Sequence, residues 1–312
     1  MPMTTPELTS QHAAVRAAVL DGLPDEPLVS HASLGRIRGE LRKRVEPFAT
    51  GLAEGVEVHV DRYSLRAALV CPASAERGEF EWTAPTAARS VALPAVSSLA
   101  RGGDHDPLEA VNRSIAEAID EQRSVGQWLG ELDGIGRATT VAAAVTWCAR
   151  AMVAVPWQSF DNLRFGFDAV WHRPLGFGSA IVMRGRPDAS VLLRRGRVTE
   201  TVLLDLGAAD PVVAGLDALM ASLKVGRAPL RIVFVRAASG RVDAIDVDVE
   251  LLDAAVDHLV SAVESLVAPA QGLPAAERPG RQCWSCDRRD RCATGMPWMA
   301  AQPRRVAGIP VP

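Results

Sequence analysis

Leu34, Ile37, Leu41 and Val45 recur at helical spacing and predict an amphipathic helix over residues 31–50. Val56 to Val60 alternates, which is the period of a half-buried strand. Between 106 and 155 the pattern is helical again. It opens at Asp106–Pro107, a cap followed by a proline suited to a first turn, and breaks around Gly134 and Gly136. Past Pro156 the period shortens and predicts strands over about 163–171, 179–185, 188–194 and 198–206, with Arg195–Gly196 as the turn between the last two. A helix near 211–225, strands at 230–236 and 241–248, a helix at 250–268 and a Pro- and Gly-rich tail complete the chain. There is no internal repeat and no low-complexity tract. Helices, then a strand group, then helix, strands and helix imply a mixed sheet covered by helices in an α/β or α+β fold.

With 312 residues, one large domain or two intimate ones are equally allowed. Hydrophobic residues at 48% and charged residues at 23% exclude a disordered or fibrous chain. The net charge of -3 gives no support to nucleic-acid binding over the whole surface, so any such contact must use a local patch. Of the 34 basic residues only Lys43 and Lys224 are lysines, so chemistry that requires an ammonium has two candidates. The most apolar run, Val141 to Val155, is broken by Arg150, and the first residues lack a basic and then apolar leader. The expectation is a cytoplasmic protein with no membrane partner.

Five cysteines carry more information. Cys71 and Cys148 stand alone, while Cys283, Cys286 and Cys292 form a C-x2-C-x5-C cluster among arginines. A cytosolic chain rarely uses such spacing for disulfides. Thiolates two residues apart can converge on one metal from a tight turn, and nearby arginines favour the deprotonated, ligating form. Three ligands do not close a tetrahedral centre, and the fourth is either Cys71 or Cys148. Cys148 sits in an apolar helical pattern, where a free cysteine behaves as a small core hydrophobe. Cys71 ends a short helix predicted to open at the cap Ser64 and to stop at Pro72, a place from which a thiol can point outward. By spacing alone, four thiolates suit zinc.

Two carboxylates stand out in the strand group. Asp188 follows Gly185-Arg186-Pro187 at the start of one predicted strand, and Asp205 ends the next. A tight hairpin can bring them together as a hard oxygen site for magnesium or manganese, which activates water and neutralises a phosphodiester during in-line attack. Read without further context, acids in hairpins are ordinary surface residues.

Together these segments resemble the RecB-type branch of the PD-(D/E)XK nuclease superfamily, which includes the AddB nuclease domain and CRISPR-adaptation nucleases. The resemblance spans about Asp61 to Cys292. Its carriers are Tyr63-Ser64-Leu65 through Cys71-Pro72, Gly185-Arg186-Pro187-Asp188, Asp205-Leu206-Gly207 and the cysteine triplet. The resemblance implies a restriction-endonuclease-like core with a mixed central sheet flanked by helices. It also implies a 4Fe-4S cluster held by Cys71, Cys283, Cys286 and Cys292, in preference to zinc. Asp188, Asp205 and His105 become metal ligands, with His105 placed just before a helix by Asp106–Pro107. The implied division is a helical N-terminal region over 1–60, a nuclease-like core over 61–275 containing the helical insertion 106–155, and a cysteine tail over 276–312.

The departures are as informative. Gly207 stands where the family has the lysine of Asp-x-Lys, and the Gln-x-x-x-Tyr pattern is missing from Leu216 to Met220. Losing one preorganised donor of that kind costs about a hundred- to a thousand-fold in rate. Lys224 on the next helix, or Arg186, Arg194 or Arg195, are the candidates to restore a charge, although a guanidinium transfers protons poorly. The tail carries Arg278, Arg281, Arg288, Arg289, Arg291, Arg304 and Arg305 against Glu277, Asp287 and Asp290, an excess of 7 minus 3 positive charges suited to phosphates. Trp284 is expected to cover the metal cluster, with stacking on a base as the alternative. Three readings follow: a catalytically degenerate DNA-binding or scaffold subunit, working with a helicase or another DNA-processing protein; an active Mg- or Mn-dependent deoxyribonuclease using Asp188, Asp205 and Lys224; or a structural metal-cluster protein without DNA.

Overall fold

The computed structural model describes residues 5–24, 26–75, 82–166, 168–175, 179–195, 197–286 and 288–302. Among these the helices are α1 (Thr5–Leu20), α2 (His31–Ala49), α3 (Arg62–Val70), α4 (Pro72–Ala75), α5 (Ala84–Ala100), α6 (Pro107–Asp120), α7 (Ser124–Glu131), α8 (Gly134–Ala154), α9 (Pro211–Val225), α10 (Val249–Ala270) and α11 (Gly295–Ala301). The strands are β1 (Glu57–Val60), β2 (Leu163–Phe165), β3 (Ala169–Leu175), β4 (Ser179–Gly185), β5 (Ala189–Arg195), β6 (Val198–Asp205), β7 (Arg231–Arg236) and β8 (Arg241–Asp246). The expected mixed α/β class is therefore found.

The strands form two sheets rather than one, which corrects the expectation of a single central sheet. One has the order β1-β4-β3 and the other β2-β5-β6-β7-β8. The chain also divides into two compact units that cut across the boundaries read from the sequence at 60 and 275. The first comprises Met1–Arg38, Glu79–Trp171 and Arg184–Ala255, and the second Gly39–Gly78, His172–Met183 and Val256–Pro312.

In the first unit, β5 and β6 form an antiparallel hairpin with Ala189 opposite Leu204 and Arg195 opposite Val198. A parallel neighbour needs a crossover, and α9 supplies it, bringing β7 beside β6 with Val202 opposite Arg231. Asp210 caps α9 through the Val212 and Val213 amides, Pro211 fixes its first turn, and Gly226 ends it in the left-handed region. The Ile232–Val235 run of β7 is buried on both faces, as a central strand requires. Arg231 joins the sheet to the end of α1, with its guanidinium donating to the Ala18, Asp21 and Gly22 carbonyls and to Asp246, so carbonyls left over at a helix C-terminus find partners.

Small side chains let the helices of this unit approach closely. Ala87, Ala88, Val91, Ala92, Ala95 and Val96 of α5 and Ala144, Cys148, Ala151 and Ala154 of α8 belong to one buried cluster with Val191, Val202, Leu204 and Val233 of the sheet. The helical stretch after Asp106 makes three helices instead of two. Gln122, with φ 53°, stops α6, and Asp133 caps α8 just before the expected break at Gly134. Among the described residues one helical stretch, Gly134–Ser159, passes for a membrane span by length and composition, which corrects the expectation that none does. Its buried stripe of Ala144, Cys148, Ala151 and Ala154 is part of the core just described.

Gly185 is a place where a side chain has no room. A Cβ there would stand 2.8 Å from Met220 Cβ and 3.1 Å from Asp217 Cα on α9, while the next amide, of Arg186, donates to the buried Asp217 carboxylate at 3.0 Å. Gly185→Ala is expected to cost about 1–3 kcal/mol because backbone must move. The measurement is the urea midpoint at unchanged m-value, and an undisturbed midpoint would mean that α9 yields freely.

In the second unit β1 runs parallel to β4, with Glu57 opposite Ala180 and Val60 opposite Met183, and it buries Val58 and Val60 on one face. Helix α3 opens one turn earlier than predicted. Its cap is Asp61, which accepts from the Tyr63 and Ser64 amides, while Ser64 completes the capping box as the third helical residue.

Candidate functional site

The hairpin register, extended by one position, puts Asp188 directly opposite Asp205. Both side chains are 5% exposed. The Leu206 amide donates to Asp188 Oδ2 at 2.7 Å, fixing that carboxylate across the strand pair. Like charges facing each other across strands repel, and burial raises the cost, so a cation is required. It is Arg89, on the second turn of α5. Its Nη2 lies 2.9 Å from Asp188 Oδ1 and 2.7 Å from Oδ2, and 4.0 Å from Asp205 Oδ1. The guanidinium carbon also stands 5.5 Å from the centre of the Trp147 ring on α8, a cation–π contact.

Gly207 faces this group. A Cβ at 207 would come within 2.6 Å of Asp205 Oδ1 and 4.0 Å of Arg89 Nη1, so the position at which the resemblance leads one to expect a lysine lies against the Asp205 carboxylate. Lys224 and Arg194, among the other expected donors, lie elsewhere. The Lys224 ammonium donates to the Asp168 carbonyl. His105 is exposed on the turn before α6, whose cap is Asp106, and the adjacent buried carboxylate of Asp104 binds Ser98 and Arg113. Arg186 contributes its backbone amide to Asp217. Arg194 sits opposite Thr199 near the closed end of the hairpin, five residues from Ala189 or about 17 Å along the strand. The Arg195 side chain lies outside the described residues.

In the second unit the chain brings Cys71 to the tail. The Ala73 amide donates to the Ala276 carbonyl at 3.0 Å, Arg288 Nη1 to the Ala73 carbonyl at 2.7 Å and the Arg278 amide to Cys71 Sγ at 3.4 Å. The Gly280 amide reaches Cys283 Sγ at 3.4 Å and the Gly295 amide reaches Cys292 Sγ at 3.2 Å. Cys283 and Cys292 also flank one point, since a Cβ on Gly295 would stand 3.4 Å from the first sulfur and 3.0 Å from the second. Backbone amides donating to sulfur are partners that the sulfur ligands of a metal centre commonly accept. The cysteines carry no disulfide. Among the described residues, no three His, Cys, Asp or Glu side chains converge tightly enough to hold an ion as they stand. The donor set and its amide partners nonetheless fit a four-thiolate centre in chemical type.

Neither a family model nor a curated protein matches the chain. A solved structure described as "Crystal structure of SSO0001" is similar over 83% of this chain and 96% of its own, with 11% identity and a TM-score of 0.34, a likeness too slight to carry an argument.

Cys148 is fully buried in α8, and burial pushes its thiol up from 9.0 to about 11. It is a core side chain, as its apolar setting predicts. The folded state favours the neutral thiol while the unfolded chain ionises near the ordinary value. The associated stability is therefore present below about pH 9 and falls, by on the order of 2 kcal/mol, as pH rises through 11. Cys148→Ala is expected to flatten that alkaline limb in urea titrations. A fall of equal size in the variant would assign it to another group, such as Tyr63 or one of the two lysines.

Trp284, expected to cover the cysteines, is 51% exposed. Arg281, Arg289 and Arg291 are exposed, as is Arg278, which donates to the Leu69 carbonyl, while the half-buried Arg288 donates to the Ala73 carbonyl. Asp287, Arg304 and Arg305 lie outside the described residues. Arg89 is the site residue that sequence reasoning missed. One arginine among 32, on a helix whose Ala-rich pattern gives little contrast between faces, offers no signal by spacing.

Proposed function

We propose that the chain is a cytoplasmic RecB-like protein of the PD-(D/E)XK type in DNA processing, repair or defence. In this reading it binds DNA beside a partner such as a helicase and does not cleave it. The observation that carries the reading is the Asp188–Asp205 pair, set face to face just before β5 and at the end of β6 beside Gly207 and met by a guanidinium instead of an ammonium. Two buried carboxylates at a hairpin mouth suit a nuclease-derived site. A guanidinium that stays protonated at every working pH is a poor agent for moving the proton of an attacking water. The exposed Trp284 with Arg281, Arg289 and Arg291 supports DNA contact through stacking and phosphate pairing.

Cys71, Cys283, Cys286 and Cys292 would hold a 4Fe-4S cluster, whose contribution is to link distant segments. Zinc is the alternative for the same thiolates. Purified holoprotein is expected to be brown with a broad violet absorbance, and a colourless protein with stoichiometric zinc would defeat the iron–sulfur assignment. Incubated with labelled single- and double-stranded DNA and manganese, it is expected to retain DNA in a salt-dependent way and leave it intact. Cleavage that disappears in Asp205→Ala would establish an active nuclease instead, and no retention at low salt would leave a purely structural role.

A further inference from the structure

We infer that Arg89 is an internal cation that replaces a divalent metal ion at the Asp188–Asp205 pair and holds the pair closed to one. The inference deepens the degenerate-nuclease reading and rests on it for the claim that a hard cation belongs between these carboxylates. The geometry of the contact is specific. A single nitrogen, Nη2, lies within 2.9 Å of both oxygens of Asp188 and 4.0 Å from Asp205, so positive charge sits in front of one carboxylate and beside the other, where a bridging cation would be placed. The Leu206 amide holds the Asp188 carboxylate, and the Trp147 ring makes a cation–π contact with the guanidinium.

Gly207 completes the arrangement. A side chain there would start 2.6 Å from Asp205 Oδ1 and 4.0 Å from Arg89 Nη1 and would compete for the space the guanidinium uses. The absence of a side chain at 207 and the presence of arginine at 89 are thus two halves of one substitution. Charge leaves the β6 end and re-enters from α5, and the carboxylates stay neutralised without an exchangeable ion. Asp188 and Asp205 become fixed struts between α5 and the hairpin.

The test is manganese binding to the whole holoprotein, followed by electron paramagnetic resonance of free Mn2+, for wild type, Arg89→Met, Arg89→Lys and the double variant Arg89→Met/Asp205→Asn. Arg89→Met is expected to gain a site roughly tenfold or more tighter than any in wild type, because a charge is removed from between two carboxylates. The double variant is expected to lose it. Arg89→Lys keeps the charge but loses the fork, so its affinity is expected between the two, which keeps the test decisive if Arg89→Met fails to fold. Equal manganese affinity in wild type and both single variants, or a new site that survives Asp205→Asn, overturns the inference. DNA retention is scored on the same samples. Retention without a gained manganese site removes the role of Arg89 and leaves the DNA-binding reading standing, whereas a gained site without retention does the reverse.

Discussion

Asp188→Ala is expected to destabilise the first unit by about 3 kcal/mol or more, the largest effect of any substitution at the hairpin. The carboxylate accepts two contacts from Arg89 and one from the Leu206 amide while its side chain is 5% exposed. Its removal strands a backbone N–H at the end of β6 and takes the main partner from the guanidinium. Part of the ion-pair energy is screened, since the Arg89 side chain is 39% exposed, so the strong term is the buried amide together with the lost strut to α5. Asp188→Asn keeps an acceptor for Leu206 and is expected to lose only about 1–2 kcal/mol. Chemical denaturation followed by Trp fluorescence measures both. An Asp188→Ala protein within 0.5 kcal/mol of wild type, roughly the scatter of a neutral surface change, would mean that the network does not hold the hairpin.

Cys71→Ser is expected to abolish the violet absorbance and release the tail in the second unit. Cys71 and Cys283 are 212 positions apart, from 71 to 283, and a link over a loop of that length restricts the unfolded chain by about 5 kcal/mol at most in the chain-entropy picture. Direct contacts left behind among the described residues include Ala73 with Ala276, Arg278 with Leu69 and Arg288 with Ala73. Limited proteolysis should then cut within 276–302 well before it cuts wild type. Cys148→Ser, which touches no part of this arrangement, is expected to keep the colour. A coloured, protease-resistant Cys71→Ser protein would exclude Cys71 as a ligand.

Much of the local structure was legible along the chain. The helix over 211–225 has its cap Asp210, its first-turn Pro211 and its terminating Gly226 all in sequence, and it forms over those bounds. The hairpin strands were readable for the same reason, since apolar runs punctuated by turn residues specify strands without reference to anything distant. Cys148 was legible as core because its apolar neighbours recur at helical spacing. Helix α5, by contrast, escaped notice. Small residues on several faces leave almost no amphipathic contrast, and its burial arises only when α8 packs against it.

The sequence by itself determined most of the strands and the helices with clear caps, such as α9, which residues carry negative charge at a strand end, and which thiols stand in a cluster, because propensity, capping and turn chemistry act over a few residues. Only the tertiary structure decided that Asp188 faces Asp205, that a guanidinium from α5 binds Asp188 and stands 4.0 Å from Asp205, that the strands divide into two sheets, and that the Cys71 thiol receives an amide from the tail. Each of those facts joins positions distant in the chain, and such pairings are chosen by burial and charge neutralisation summed over the folded unit, which no local pattern encodes.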